Sequence, residues 1–190
     1  RVGLACASIC HVGLAVLGLA AFTASGVQGA VSLLLSFSVA TGGAFVFLEF
    51  LRQRTGSTDV NSLGGAAATM PLLAAGFLIC GLAGVGMPGT SSFPGEFMLI
   101  LAALQSHAGA GMAALFGLAI AAAGFLSLYR KAFFGPATRR QVLEAEDLRP
   151  REWAVLVILI ALVGGIGLYP GPWLEIVRPA AEAWAAGVAR

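Results

Sequence analysis

The run Gly84-Val85-Gly86-Met87-Pro88-Gly89-Thr90-Ser91-Ser92-Phe93-Pro94-Gly95-Glu96-Phe97 places helix breakers and one carboxylate inside an otherwise apolar stretch. Leu72 to Ala83 before it and Met98 to Leu104 after it are almost wholly apolar, so the whole reads as one membrane-crossing segment with an interrupted middle. Hydrocarbon offers no partner for the backbone groups that Gly and Pro release, so such a break survives only against protein or a water-filled cavity. A carboxylate near the bilayer centre adds roughly 2.5 to 3.5 kcal/mol on insertion scales. Both costs fall in one place, which points to a site where ions or substrates cross. Gly86, Pro88, Gly89, Pro94 and Gly95 are then the breaking residues and Glu96 the functional carboxylate. The same residues also fit a kinked packing helix with a neutral Glu96.

Composition supports the membrane reading. Of 190 residues, 58% are hydrophobic and 11% charged, against about 45 to 50% and about 25% in soluble domains. The apolar segments run about 20 residues, enough to cross a core of about 30 Å as helices. They lack the short alternation of a barrel. The expected fold is an all-α membrane protein of five transmembrane helices, the third broken at mid-membrane. The spans read as 2–22, 28–51, 71–106 with the break near 86–94, 109–134 and 152–169. Pro71 fits a first-turn position. Residues 1–172 form the membrane region, and 173–190 form a tail at the outer face, with Trp173 and Trp184 as interfacial anchors on a surface helix. The chain opens on Arg1 rather than Met and runs straight into an apolar span, so it reads as part of a longer membrane protein.

The charges test the span count. With five spans, Arg1, Arg52, Arg54, Arg130, Lys131, Arg139, Arg140, Arg149 and Arg151 fall on one side, and Arg178 and Arg190 on the other. By the positive-inside rule the first side is cytoplasmic, so the chain starts inside and ends outside. Four or six spans would destroy this segregation. A formal net charge of +2 gives no reason to expect a nucleic-acid partner.

Beyond Glu96, His11 lies within the first span, where an imidazole reads as a proton relay or as an interhelical hydrogen-bond partner. Ser36, Ser38 and Thr41, with Ser32, could line a hydrated path along the second span. Glu49 stands three residues before Arg52 and is expected to pair with it. His107 reads as a solvated loop residue. Cys6, Cys10 and Cys80 read as small apolar residues without a disulfide or metal. No phosphate loop, dinucleotide fingerprint, triad or metal-ligand spacing is present, which leaves no catalytic residue, cofactor or small-molecule substrate to assign to this chain.

Met87 to Phe97 resembles the motif of the antiporter-like family of respiratory complex I, in particular its chain M branch, called subunit 4 in mitochondria. Ala7 to Gly13 is similar to the family's histidine-bearing helix, and Gln28 to Val31 to the start of the next. Thr58-Asp59 with Gly64-Gly65, Tyr129 to Lys131 with Phe133 to Gly135, and Gly167 to Pro170 are also similar to it. The resemblance implies the last five helices of an antiporter-like fold of about fourteen, including the second of its two broken helices. It implies a membrane-arm subunit of a proton-pumping NADH-quinone oxidoreductase in a bacterial inner membrane. This region would contribute the outer half of a proton path, with Glu96 as the terminal carboxylate and His11 as its relay. NADH, FMN, iron-sulfur clusters and quinone would belong to partner subunits, and the partners would be other antiporter-like and membrane-arm subunits and the lipid bilayer. Two residues depart from the family's pattern. Phe37, between Ser36 and Ser38, stands where the family usually has a second histidine, and Glu49 where it is generally small and apolar. The departure at Phe37 keeps open a non-conducting scaffold; a related cation antiporter or membrane hydrogenase subunit would usually carry Lys at position 96.

Overall fold

The computed structural model describes residues 2–60, 63–137 and 139–188, and the regular elements among them are helices. Arg1, Arg190 and the charges they were expected to place lie outside the described residues. Helix α1 covers Val2–Ala20 and α2 covers Ala24–Thr55. After the short α3, Ala66–Thr69, the broken segment appears as α4, Pro71–Gly84, and α5, Phe93–Ser106. Then follow α6, Ala108–Phe133, the short α7, Arg140–Leu143, α8, Pro150–Leu168, and α9, Gly171–Val188.

Local chemistry sets these boundaries. The hydroxyl of Thr23 accepts from Gly26 N at 3.1 Å and starts α2 four residues before its apolar run. The helix continues past the expected end at Leu51 because Arg52 and Arg54 are good helix formers. It stops where Gly56 turns left-handed at φ +71 and its N–H bonds Arg52 O at 2.8 Å, a conformation that favours glycine. Pro71 and Pro94 both sit in the first turn of a helix, where the missing N–H has no intrahelical partner to lose. Pro94 and Gly95 therefore lie inside α5 and not in the break, which spans residues 85–92. The tail is helical from Gly171, two residues earlier than expected.

Among the described residues, α1, α2, α6 and α8 are each long and apolar enough to cross a membrane. The two 14-residue helices α4 and α5 reach only about 21 Å each, so neither crosses alone. Helix α2 is the axis. Half of its apolar window is buried, against 17% or less in α1, α6 and α8, and it packs on α1, α4, α5, α8 and α9. Glycine permits its crossing with α5: a Cβ on Gly95 would stand 2.6 Å from Leu33 N, and one on Gly29 2.8 Å from Leu99 N. Small residues let helix backbones approach in this way where lipid provides no hydrophobic drive between them.

At one end, Arg54 of α2 donates to Glu146 O at 2.8 Å and Asp147 O at 3.3 Å and pairs closely with Glu152 at the start of α8. The Asp147 carboxylate accepts from Leu72 N at 2.8 Å and Leu73 N at 3.1 Å. Asp147 thereby caps α4 from 75 residues away, since the residue before Pro71, Met70, supplies no side-chain cap. At the opposite end Gln28 Nε2 donates to Leu174 O at 2.6 Å, and Phe22 stacks on Trp184 at 6.0 Å, which holds α9 against the start of α2.

Candidate functional site

The break satisfies its own backbone with turns. Met87 N bonds Leu82 O at 3.1 Å, Thr90 N bonds Met87 O at 3.0 Å, and Phe93 N bonds Thr90 O at 3.3 Å. Gly86 and Gly89 are left-handed, at φ +67 and +89. The break is covered by α8, whose Gly167 lies so close to the Thr90 backbone that a Cβ would overlap it.

Glu96 occupies the first turn of α5 and is 2% exposed. Its carboxyl lies over Gly86, where a Cβ would stand 2.5 Å from Glu96 Cδ. Gly86 is thus needed twice, for its backbone and for the space it leaves. His11 of α1 is also 2% exposed, and its Nε2 is 3.4 Å from Glu96 Oε1. The opposite nitrogen, Nδ1, is 2.8 Å from Ala7 O. A carbonyl can only accept, so Nδ1 carries a proton and a neutral imidazole presents the lone pair of Nε2 to the carboxyl. The pair can therefore hold one proton in two ways, as a carboxylic acid facing an imidazole or as a carboxylate facing an imidazolium. The face of the imidazole is covered by Phe37, stacked with centroids 3.8 Å apart and planes 14° apart.

Of the expected path residues, Ser36 is buried, and Thr41 lines a cavity together with His11. Ser38 is exposed and donates to Leu34 O at 2.7 Å, closing its bond within α2. The sequence reading assigned nothing to Ser91 and Ser92, which are 1% and 0% exposed. Their hydroxyls, with that of Ser32, find no hydrogen-bond partner among the described residues, and neither do the carboxyl oxygens of Glu96. Two adjacent hydroxyl residues inside a break that interrupts an apolar span were the available signal. Glu49 pairs with Arg52, Oε1 to Nη2 at 2.7 Å, as expected, and His107 is exposed at the α5–α6 junction.

The cavity encloses about 350 Å³ between α1, α2, α4 and α6. It runs from Gly3, Thr58 and Val60 at the arginine-rich end to His11, Phe37 and Val85, and Glu96 does not line it. Cys6, Cys10 and Cys80 line it as free thiols. Among the described residues, no group of three or more His, Cys, Asp or Glu side chains comes together to hold a metal ion.

An all-helical membrane protein with one discontinuous helix and a buried imidazole–carboxyl pair at the break is the class that this fold and site define. The family described as NADH:quinone oxidoreductase/Mrp antiporter, transmembrane, matches residues 1–121, and the chain belongs to it. NADH-quinone oxidoreductase subunit M of Rickettsia felis is 34% identical over 179 residues, 94% of this chain and 36% of the relative. NADH-quinone oxidoreductase subunit 13 of Thermus thermophilus is 34% identical over 182 residues, 96% of this chain and 38% of the relative. A chain in the structure of respiratory complex I from Thermus thermophilus with bound NADH superposes with a TM-score of 0.91 at 34% identity, over 96% of this chain and 38% of that one. The chain thus spans little more than a third of the length of these relatives.

Proposed function

We propose that this chain is the part of a membrane-arm subunit of a proton-pumping NADH-quinone oxidoreductase that holds the proton-carrying pair His11 and Glu96. The observation that carries the reading is the 3.4 Å approach of His11 Nε2 to a Glu96 carboxyl that has no other polar partner among the described residues, at the interruption of a membrane helix. Desolvation opposes either ion standing alone, so charge is best tolerated here when both partners are charged or both neutral. Both of these states hold the same proton; a further proton leaves a carboxylic acid beside an imidazolium, and loss of one leaves a carboxylate beside a neutral imidazole, so each transfer carries the pair between its neutral state and a singly charged one.

The topology consistent with this role has five crossings, α1, α2, α4 with α5, α6 and α8, with the arginine-rich end cytoplasmic and α9 on the outer surface of a bacterial inner membrane. The region would then contribute the outer half of the path. Moving one charge against 100 mV costs about 2.3 kcal/mol, so the energy must come from redox chemistry elsewhere in the complex. NADH, FMN, iron-sulfur clusters and quinone belong in that reading to partner subunits, and other membrane-arm subunits and lipid cover the exposed faces of α6 and α8.

The test is redox-driven proton uptake per electron in vesicles that contain the parent complex. Glu96→Gln keeps the volume and removes the titratable group, and uptake falls. Unchanged uptake per electron would sink the proposal in favour of a non-conducting scaffold, the reading that Phe37 favours because its ring can neither accept nor donate a proton.

A further inference from the structure

We propose that Phe37 seals the cavity side of the His11–Glu96 pair and so makes proton exchange at the pair one-sided. The inference rests on the reading of Glu96 as a proton-carrying group. Three observations meet in it. The cavity from the arginine-rich end stops at His11, Phe37 and Val85, the apolar first residue of the break, with Glu96 outside it. Its walls are almost wholly apolar, and the hydroxyl of Tyr129 on its lining already donates to Ala74 O at 3.1 Å. A buried water needs two to four polar partners, and this lining offers few.

Next, neither nitrogen of His11 is free to serve the cavity. Nδ1 is held on Ala7 O, Nε2 faces Glu96, and Phe37, itself only 7% exposed, covers the ring at 3.8 Å. Turning the imidazole towards the cavity would break the Nδ1 bond and the stack together. Finally, the unsatisfied polar groups lie elsewhere: Ser32, Ser91 and Ser92 are buried, carry unpartnered hydroxyls and do not line the cavity. Buried hydroxyls of this kind are the groups that bound water serves, and Ser91 and Ser92 directly precede the helix that bears Glu96. Exchange therefore runs through the break. The cavity face stays shut because Phe37 places an apolar ring where a hydroxyl or water would close a hydrogen-bonded chain.

The experiment reads passive proton permeability of vesicles that contain the assembled complex, under a potassium diffusion potential and without an electron donor. Phe37→Ser opens the seal, and permeability rises about tenfold, the effect of one hydrogen-bond contact at the barrier. Adding Glu96→Gln returns it to the parent level because the leak runs through the pair. Phe37→Leu keeps an apolar plug and leaves the leak low. If Phe37→Ser does not assemble, Phe37→Tyr, which keeps the ring and adds one polar atom, raises permeability in the same direction. Permeability unchanged in the assembled polar variant overturns the seal, and so does a rise that persists with Glu96→Gln. These outcomes are distinct from failure of the Glu96 role itself, which is read in redox-driven uptake with Glu96→Gln alone.

Discussion

Gly86→Ala tests the geometry of the pair without touching either partner. A Cβ at Gly86 would stand 2.5 Å from Glu96 Cδ and 2.9 Å from Oε1, whereas carbon contacts settle at about 3.5 to 4.0 Å. The overlap is deepest at Oε2, so the carboxyl must retreat by roughly 2 Å to reach ordinary contact, and retreat from Gly86 changes its 3.4 Å approach to His11. Misplacement of about 1 Å can cost about a hundredfold in a rate that depends on alignment. Holding Ala at φ +67 adds roughly 1 to 2 kcal/mol of backbone strain. The expected outcome is a folded complex with slightly reduced thermal stability and strongly reduced proton uptake per electron, together with a shifted infrared band of the Glu96 carboxyl. The band is assigned by its loss in Glu96→Gln. Wild-type uptake with an unshifted band would refute the reasoning, because it would show that the carboxyl does not depend on the space over Gly86.

Asp147→Ala removes the acceptor for Leu72 N and Leu73 N. It is expected to cost about 1 to 2 kcal/mol, the upper range for a lost helix cap, and to speed hydrogen exchange at the start of α4; unchanged exchange there would show that water replaces the cap. Gly95→Ala puts a Cβ 2.6 Å from Leu33 N and 3.1 Å from Gly29 O. Backbone atoms cannot swing aside as a side chain can, so α5 must move off α2 at about 1 to 3 kcal/mol. Thermal unfolding in detergent should show that loss, and Gly29→Ala should add less than its separate cost in the double variant because both relieve one crossing.

The long apolar helices were legible because apolar length is a property of local sequence, and so were most of their ends. What sequence could not separate is the two uses of glycine and proline. Gly86 and Gly89 break the segment because their φ is positive, while Gly95 lies inside α5 and is small because α2 passes against it. Pro94 reads as a breaker but occupies a first turn, where it helps a helix begin. In a soluble helix an apolar stripe would reveal the buried face, but α2 is apolar on lipid and protein sides alike, so periodicity could not show that Ser36 turns inward and Ser38 outward. The meeting of His11 with Glu96, and the stacking of Phe37 on His11, join residues far apart in the chain and follow from helix crossings. Those crossings are set by Gly29 with Gly95 between α2 and α5, and by Gly18 with Gly26 between α1 and α2. The geometry at Glu96 therefore depends on glycines that take no direct part in the pair. A substitution at Gly26 or Gly29 would shift α1 or α5 and move the imidazole relative to the carboxyl, although both side chains would still be present.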